Sequence, residues 1–285
     1  MAMKNLKLAI IGFLFCISGI LHADAPPDTK PLRVGMLPSL SLQRLFERFK
    51  PIQAYLEKTL QRPVILLTAT DYATYIKRAG QYEYDLYFAA PHMAALVEKD
   101  YGYRRVSKMT RDLVGDIIVR DDGGIKRVED LKERTISAPQ ELAIITMMGE
   151  SLLEQHHLFP GRNVRIDYTG THNNALLALT TGKVDAAIAV APIYEVFRRD
   201  HDTKLTVLAT TPTASHLMFM ASPKLPEQEY EKLRAAMLAF RADGAGKEFF
   251  LRNPYGDSAP ISNADMQEMQ PYAAILRQRI STKKE

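Results

Sequence analysis

The stretch that decides the fold runs from residue 170 to residue 198 and reads GTHNNALLALTTGKVDAAIAVAPIYEVFR. It predicts a short helix over residues 173–181 that Gly182 stops, a buried strand over residues 184–190, and a second helix opened by Pro192. A glycine after a periodic apolar run stops a helix, and an unbroken Ala/Ile/Val run before a proline is typical of a strand buried on both faces. Such a unit places polar side chains at strand ends, where open α/β sheets bind ligands.

A near copy of this unit occurs earlier in the chain. Residues 71–80 predict a short helix that ends near Gly80, residues 85–90 predict a strand, and Pro91 opens the next helix. Two similar units favour two lobes over one sheet, although a single sheet with repeated units stays open at this point.

The composition is that of an ordinary globular protein. The chain has 285 residues, of which 46% are hydrophobic and 25% charged, and this length suffices for two lobes with their own cores. The formal charge of +4 favours an anionic ligand, while the lack of a lysine/arginine stripe argues against nucleic acid. The sequence contains no serine-hydrolase, zinc-protease, P-loop or dinucleotide motif. We therefore expect a monomeric binding protein without catalytic residues, cofactor or metal.

The N-terminus has the pattern of a secretory signal peptide. Two lysines precede an apolar segment over residues 8–20, and small residues allow cleavage after Ala23 or Ala25. An uncleaved membrane anchor is the alternative, but the segment is short for a membrane span. We expect residues 1–25 to be removed on export, together with Cys16, the only cysteine.

The remaining periodicity predicts one lobe interrupted by another. Residues 26–120 and 209–285 form the first lobe and residues 121–208 the second, and the flexible turn at residues 121–124 is the expected first crossing between them. The first long helix is expected to break at Pro51. A cleft between two such lobes is the natural site for a small ligand.

Several segments in order along the chain resemble a known family. They are residues 32–38 (LRVGMLP), 55–57 (YLE), 71–72 (DY), 85–86 (DL), 90–91 (AP), 128–132 (VEDLK), 170–172 (GTH) and 182–187 (GKVDAA). Together they resemble the phosphate, phosphite and phosphonate periplasmic binding proteins of ABC importers. The resemblance implies a type II periplasmic binding protein fold of two α/β lobes, each a mostly parallel sheet with flanking helices, joined by a hinge of two crossing strands. It also implies a periplasmic location, a small-molecule ligand and an inner-membrane permease as partner.

The resemblance further implies which residues hold the oxyanion of the ligand. Hydroxyl groups, imidazoles and helix N-termini are suitable donors to such a group. By position, the family's contacts fall on Ser39, Ser41, Tyr72, Pro91, His92 and His172. Thr171, directly before His172, is a further candidate contact.

One stretch departs from the family pattern. Where the family has a Ser-Thr-Ser-Gly turn, residues 137–144 read SAPQELAI. Gln140, Glu141 and Leu142 are candidate ligand contacts at the start of a helix expected to run to about residue 156, and Glu141 would then take the electrostatic place of an anion. The apolar residues that follow favour a less polar ligand, unless they only pack into the lobe. Tyr194, on the helix after Pro192, is a further candidate contact.

Three functions remain open from the sequence. The first is a solute receptor that closes over its ligand and presents both lobes to a permease. The second is a periplasmic sensor input to a membrane kinase, or a carrier of an apolar or uncharged ligand such as a lipid. The third is an enzyme.

Overall fold

Two sheets divide the strands between them. The computed structural model describes residues 30–253 and 255–282, so the predicted signal peptide and Cys16 lie outside the described residues. The strands are β1 Leu32–Gly35, β2 Val64–Leu67, β3 Leu86–Ala89, β4 Arg104–Met109, β5 Gly115–Arg120, β6 Thr135–Ala138, β7 Arg165–Tyr168, β8 Ala186–Val190, β9 Leu205–Thr210, β10 Met218–Ala221 and β11 Ser258–Ala259. The helices are α1 Leu42–Leu60, α2 Tyr72–Gly80, α3 Pro91–Tyr101, α4 Ile144–Gln155, α5 His172–Thr180, α6 Ala191–His201, α7 Glu227–Ala239, α8 Gly244–Arg252, α9 Asn263–Glu268 and α10 Gln270–Thr282.

Each sheet has a parallel half and an antiparallel half. The first sheet has the order β11-β4-β10-β3-β1-β2 and the second the order β7-β6-β8-β5-β9. In the first, β1 pairs in parallel with β2 and β3; in the second, β6 pairs in parallel with β7 and β8. Helices α1, α2 and α3 follow β1, β2 and β3, and α4, α5 and α6 follow β6, β7 and β8. Each set of three helices therefore begins at the carboxyl edge of its own sheet.

The two repeated units are confirmed, but the predicted position of the first crossing is wrong. Strand β5 pairs antiparallel with β8 and β9, so it belongs to the second sheet rather than to the first lobe. The turn at residues 121–124 follows β5 within that sheet. The chain crosses between the sheets at residues 110–114 and 211–217, where Leu113 and Ala214 form an antiparallel bridge.

Two predicted helix features also differ in the structure. Helix α1 is continuous through Pro51, and its side chains Leu45, Phe49 and Ile52 are buried on its inner face. Burial of this apolar stripe outweighs the loss of one backbone hydrogen bond at the proline. Helix α4 begins at Ile144 rather than near Gln140, because the preceding residues form a turn.

The central strands β8 and β5 of the second sheet are buried on both faces. Successive side chains of a strand point to opposite faces of the sheet, so the side chains on the two faces belong to two different cores. Ile117 and Val119 of β5 belong to a large core that also contains the first sheet and α4, whereas Ile118 belongs to a smaller core with α5 and α6. Among the described residues, no helix is long and apolar enough to span a membrane.

Candidate functional site

His92 stands at the second residue of α3, directly beyond the carboxyl end of β3. It is fully buried, and its Nε2 lies 3.0 Å from the carbonyl oxygen of Leu142, which belongs to the segment following the second sheet's β6. Its Nδ1 is buried and has no hydrogen-bond partner among the described residues. Burial lowers the pKa of His92 to about 4, so the imidazole is neutral at pH 7.

The turn over residues 138–143 connects β6 to α4 and is hydrogen-bonded on two sides. On one side it meets His92 through the carbonyl of Leu142. On the other side, the backbone N–H groups of Thr169 and Gly170 donate to the carbonyls of Ala138 and Pro139, at 2.8 Å and 2.7 Å. Those two donors lie directly before Thr171 and His172, so the turn joins His92 to the start of α5.

His172 is the first residue of α5. Its Nδ1 accepts a long hydrogen bond of 3.4 Å from the backbone N–H of Val190, at the end of β8. The residue is half-buried, and desolvation lowers the pKa of its imidazole to about 4, which favours the neutral ring at pH 7. The preceding Thr171 caps the helix, since its Oγ1 accepts from the N–H of Asn174 at 3.1 Å.

The candidates of the first lobe other than His92 lie at the carboxyl edge of the first sheet. Tyr72 is the first residue of α2 and is buried, and burial raises its pKa. Pro91 opens α3 and is buried. Ser39 and Ser41 are exposed in the connection from β1 to α1, and Ser41 occupies the N-cap position without a side-chain capping bond.

Glu141 does not occupy the helix start that the sequence predicted for it. It lies three residues before Ile144, the first residue of α4, and the partly exposed Gln140 lies one residue further back. The carbonyl of Glu141 accepts from Arg279 at 2.7 Å. The helix start predicted at Gln140 and Glu141 is therefore wrong, and Glu141 lies in the turn that precedes α4.

Two predicted polar groups are engaged inside the second sheet's own cores. Tyr194 is buried, and its hydroxyl donates to the carbonyl of Leu205 at 2.9 Å, so the prediction that Tyr194 contacts a ligand is not supported by its placement. The hydroxyl of Ser137, a remnant of the family's hydroxyl-rich turn, donates to the carbonyl of Ala175 at 2.8 Å within the fold.

The model of one protein family matches residues 34–266, and its description is ABC transporter, phosphonate, periplasmic substrate-binding protein. The chain belongs to this family. As a periplasmic substrate-binding protein of an ABC transporter, it shares its two-sheet fold with solved relatives of low identity. The methylphosphonate complex of PhnD1 from Prochlorococcus marinus has a TM-score of 0.76 at 15% identity, covering 87% of this chain and 98% of that one. A binding protein component of an ABC phosphonate transporter from Pseudomonas aeruginosa has a TM-score of 0.72 at 14% identity, covering 90% and 100%.

A relative named for a different ligand shares the fold as well. The periplasmic sulfonate-binding protein SsuA from Methylobacillus flagellatus has a TM-score of 0.63 at 14% identity, covering 89% of this chain and 88% of that one. At such identities the likeness shows the type II fold, and the choice of ligand has to come from the binding protein's own side chains.

The binding protein also contains an ion pair between its C-terminal helix α10 and helix α4, which the sequence analysis did not predict. Arg279, on α10 in the C-terminal region, forms an ion pair with Glu150 of α4, and the Tyr168 hydroxyl donates to Glu150 at 2.9 Å. Glu150 is the lone carboxylate in the apolar run from Ile144 to Leu153. A single carboxylate in such a run is the sequence feature that indicates a buried charge with a partner. Its partner lies 129 residues away in sequence and could not be inferred from spacing.

No group of three or more His, Cys, Asp or Glu side chains in the described part of the chain could hold a metal ion. His156, one of two adjacent histidines, pairs with Glu129 at 2.7 Å on the surface.

Proposed function

We propose that this binding protein captures a small phosphorus oxyanion, of the phosphonate or phosphate type, between its two sheets and delivers it to an inner-membrane permease. The observation that carries the proposal is the turn over residues 138–143, which is bonded to His92 on one side and to the segment leading into His172 on the other. Polar groups that follow strands of both sheets thus form hydrogen bonds with one short stretch of backbone.

The groups next to this turn are chemically suited to bind an oxyanion. His92 and His172 lie in the first turns of α3 and α5, and the first N–H groups of any helix lack partners inside that helix. Backbone N–H groups and helix dipoles at such ends favour an anion without a cationic side chain. Two neutral imidazoles add directed hydrogen bonds, and Glu141 lies before α4 rather than in its first turn.

We propose that capture proceeds by closure of two lobes, one for each sheet, about the crossing segments at residues 110–114 and 211–217. Two neighbouring chain crossings joined by the Leu113–Ala214 bridge form a short hinge. A ligand that contacts both sheets binds the closed form better and shifts the population toward it. In this proposal the chain acts as a monomer, is exported by its predicted signal peptide, and has no catalytic residue.

Thermal denaturation with candidate ligands tests the proposal. We expect phosphate, phosphite or methylphosphonate to stabilise the mature chain, by about 2.7 kcal/mol at about one hundred times the dissociation constant. The variant His172→Ala should lose this stabilisation, whereas His157→Ala, an exposed histidine on the same half of the molecule, should retain it. Stabilisation by none of the phosphorus oxyanions would overturn the proposal.

An uncharged or apolar ligand is the second candidate. It is favoured by the segment that leads into α4, where Ala143 provides no side-chain cap and residues 137–144 (SAPQELAI) contain a single hydroxyl-bearing residue, Ser137. A lipid extract or uncharged solute that stabilises the chain, in the absence of any effect of phosphorus oxyanions, would establish this candidate instead.

A further inference from the structure

We infer that His92 is a specificity-determining hydrogen-bond acceptor, which selects an oxyanion that still carries a proton, such as a hydrogenphosphonate, and rejects a sulfonate. This inference rests on the proposed function, because it concerns the ligand of the same site. It goes further by naming the atom that distinguishes two ligands of similar shape and charge.

The tautomer of His92 follows from its partner. A backbone carbonyl can only accept a hydrogen bond, so the Nε2 atom that lies 3.0 Å from the Leu142 oxygen must carry the proton. Because burial keeps this imidazole neutral at pH 7, Nδ1 then has no proton and presents a lone pair. Nδ1 of His92 is therefore an acceptor by chemical necessity.

This acceptor is left without a donor by the protein. Nδ1 is buried, and no described residue donates to it. A buried polar atom without a partner is costly, and such atoms in native proteins call for a specific explanation. A donor on the ligand would satisfy Nδ1 at the start of α3, where a ligand is expected on independent grounds.

His172 has the complementary tautomer. Its Nδ1 accepts from the backbone N–H of Val190, so in the neutral ring the proton is on Nε2, and this nitrogen is a donor. The two histidines thus present one acceptor and one donor. The guanidinium of Arg279, which contacts the Glu141 carbonyl of the intervening turn, is already paired with Glu150.

Only some oxyanions match this pair of groups. A phosphonate monoanion has one P–OH donor and two further oxygens that accept. A sulfonate has the same charge and a similar tetrahedral shape, but all its oxygens are acceptors. Against Nδ1 it would place one lone pair opposite another, and a site that hydrogen-bonds a hydroxyl discriminates strongly against an analogue without one.

Isothermal titration calorimetry with methylphosphonate and methanesulfonate tests the inference, at a pH where methylphosphonate is a monoanion. We expect the mature chain to prefer methylphosphonate by about 10- to 100-fold, the range for one buried acceptor left without a donor. In His92→Phe the side chain keeps an aromatic ring of similar bulk but has no nitrogen, so no acceptor remains in place of Nδ1. The preference should then fall to less than about threefold.

His201→Phe is the matched control. His201 ends α6, stacks on Phe197 and has its Nδ1 3.0 Å from the Phe197 carbonyl, so the same exchange removes two ring nitrogens away from both crossing segments and from the helix starts. We expect it to leave the ratio of the two affinities unchanged. Melting curves of all variants confirm that each is folded before its ratio is interpreted.

The outcomes separate the inference from the proposed function. If both ligands bind the mature chain equally well, the acceptor role is wrong while oxyanion capture stands. If the preference persists in His92→Phe, another atom accepts the proton of the ligand and the assignment to His92 is overturned. If the folded chain binds neither these compounds nor phosphate or phosphite, the proposed function itself fails.

Discussion

The two repeated α/β units, residues 71–92 and residues 171–193, have the same scaffold but carry different polar groups. In both, the residue before the helix caps it, as Asp71 does for α2 and Thr171 for α5. In both, a left-handed residue follows the helix, Tyr82 at φ 57° in the first unit and Gly182 at φ 71° in the second.

The match extends to the aspartate that precedes each strand. Asp85 accepts from the backbone N–H of Arg33 at 2.9 Å, and Asp185 accepts from that of Thr135 at 3.0 Å. Each thereby anchors its strand to a neighbour. The site groups do not repeat: the first unit supplies Tyr72 and His92, and the second supplies His172. The two units thus have the same kinds of scaffold hydrogen bonds, whereas the proposed ligand contacts are divided between them.

The largest effect is expected for the ion pair that neither unit contains. Arg279→Ala should lower the free energy of unfolding by about 3 kcal/mol at pH 7, because it leaves the carboxylate of Glu150 buried without its partner. The Glu150 side chain is only 4% exposed. Urea denaturation monitored by circular dichroism measures the loss.

The pH dependence of this loss identifies its cause. Burial raises the pKa of Glu150 above its ordinary value even with Arg279 present. A carboxyl whose pKa is higher in the folded chain favours folding when protonated, so its contribution declines as the pH rises above about 4.5. The loss in Arg279→Ala should therefore be smaller at pH 5 than at pH 7. In Glu150→Gln/Arg279→Ala this difference should disappear; an equal difference in both variants would contradict the explanation.

The paired aspartates should differ in their contribution to stability. Asp85→Ala is expected to cost about 2–3 kcal/mol and Asp185→Ala about 1 kcal/mol. The Asp85 side chain is 12% exposed and forms a two-oxygen contact with the Arg33 guanidinium at 2.7 Å and 3.1 Å. The Asp185 side chain is 30% exposed, and Arg134 lies 3.4 Å away. Equal shifts of the two urea midpoints would show that the backbone bonds alone set both values.

The two helix caps should have similar and smaller effects at neutral pH. Asp71→Ala and Thr171→Ala are each expected to cost about 1 kcal/mol, the usual value for a lost N-cap. The measurement is again the urea midpoint, with Thr180→Ala, at the other end of α5, as a control for a simple loss of a hydroxyl.

The contributions of the two caps to stability should differ at low pH. Burial by itself would raise the pKa of Asp71, but hydrogen bonds from the N–H and hydroxyl of Thr74 and from Thr70 hold it below the ordinary value. A carboxyl with a lowered pKa stabilises the fold above its ordinary pKa, and this contribution is lost as the pH falls below about 3.8. The cost of Asp71→Ala should shrink over that range, whereas the cost of Thr171→Ala should persist. Parallel pH profiles would mean that the charge of Asp71 has no part in its cap.

The sequence by itself determined the repeated units, their helix stops, the buried strands and the family. These features depend on the order of neighbouring residues, such as the Ala/Ile/Val run before Pro192 or the glycine after α5. It also brought His92 and His172 forward as site candidates, through the resemblance of short segments to a family rather than through any local rule.

The tertiary structure decided where the chain crosses between sheets, because β5 joins a sheet by pairing with strands β8 and β9 that lie far along the chain. It decided that α4 begins at Ile144, since the turn before it is held by His92 and by Thr169 and Gly170. It fixed the proton positions of the two histidines as well. A tautomer is set by which backbone group lies against a ring nitrogen, and packing brings that group there from 50 residues away for His92.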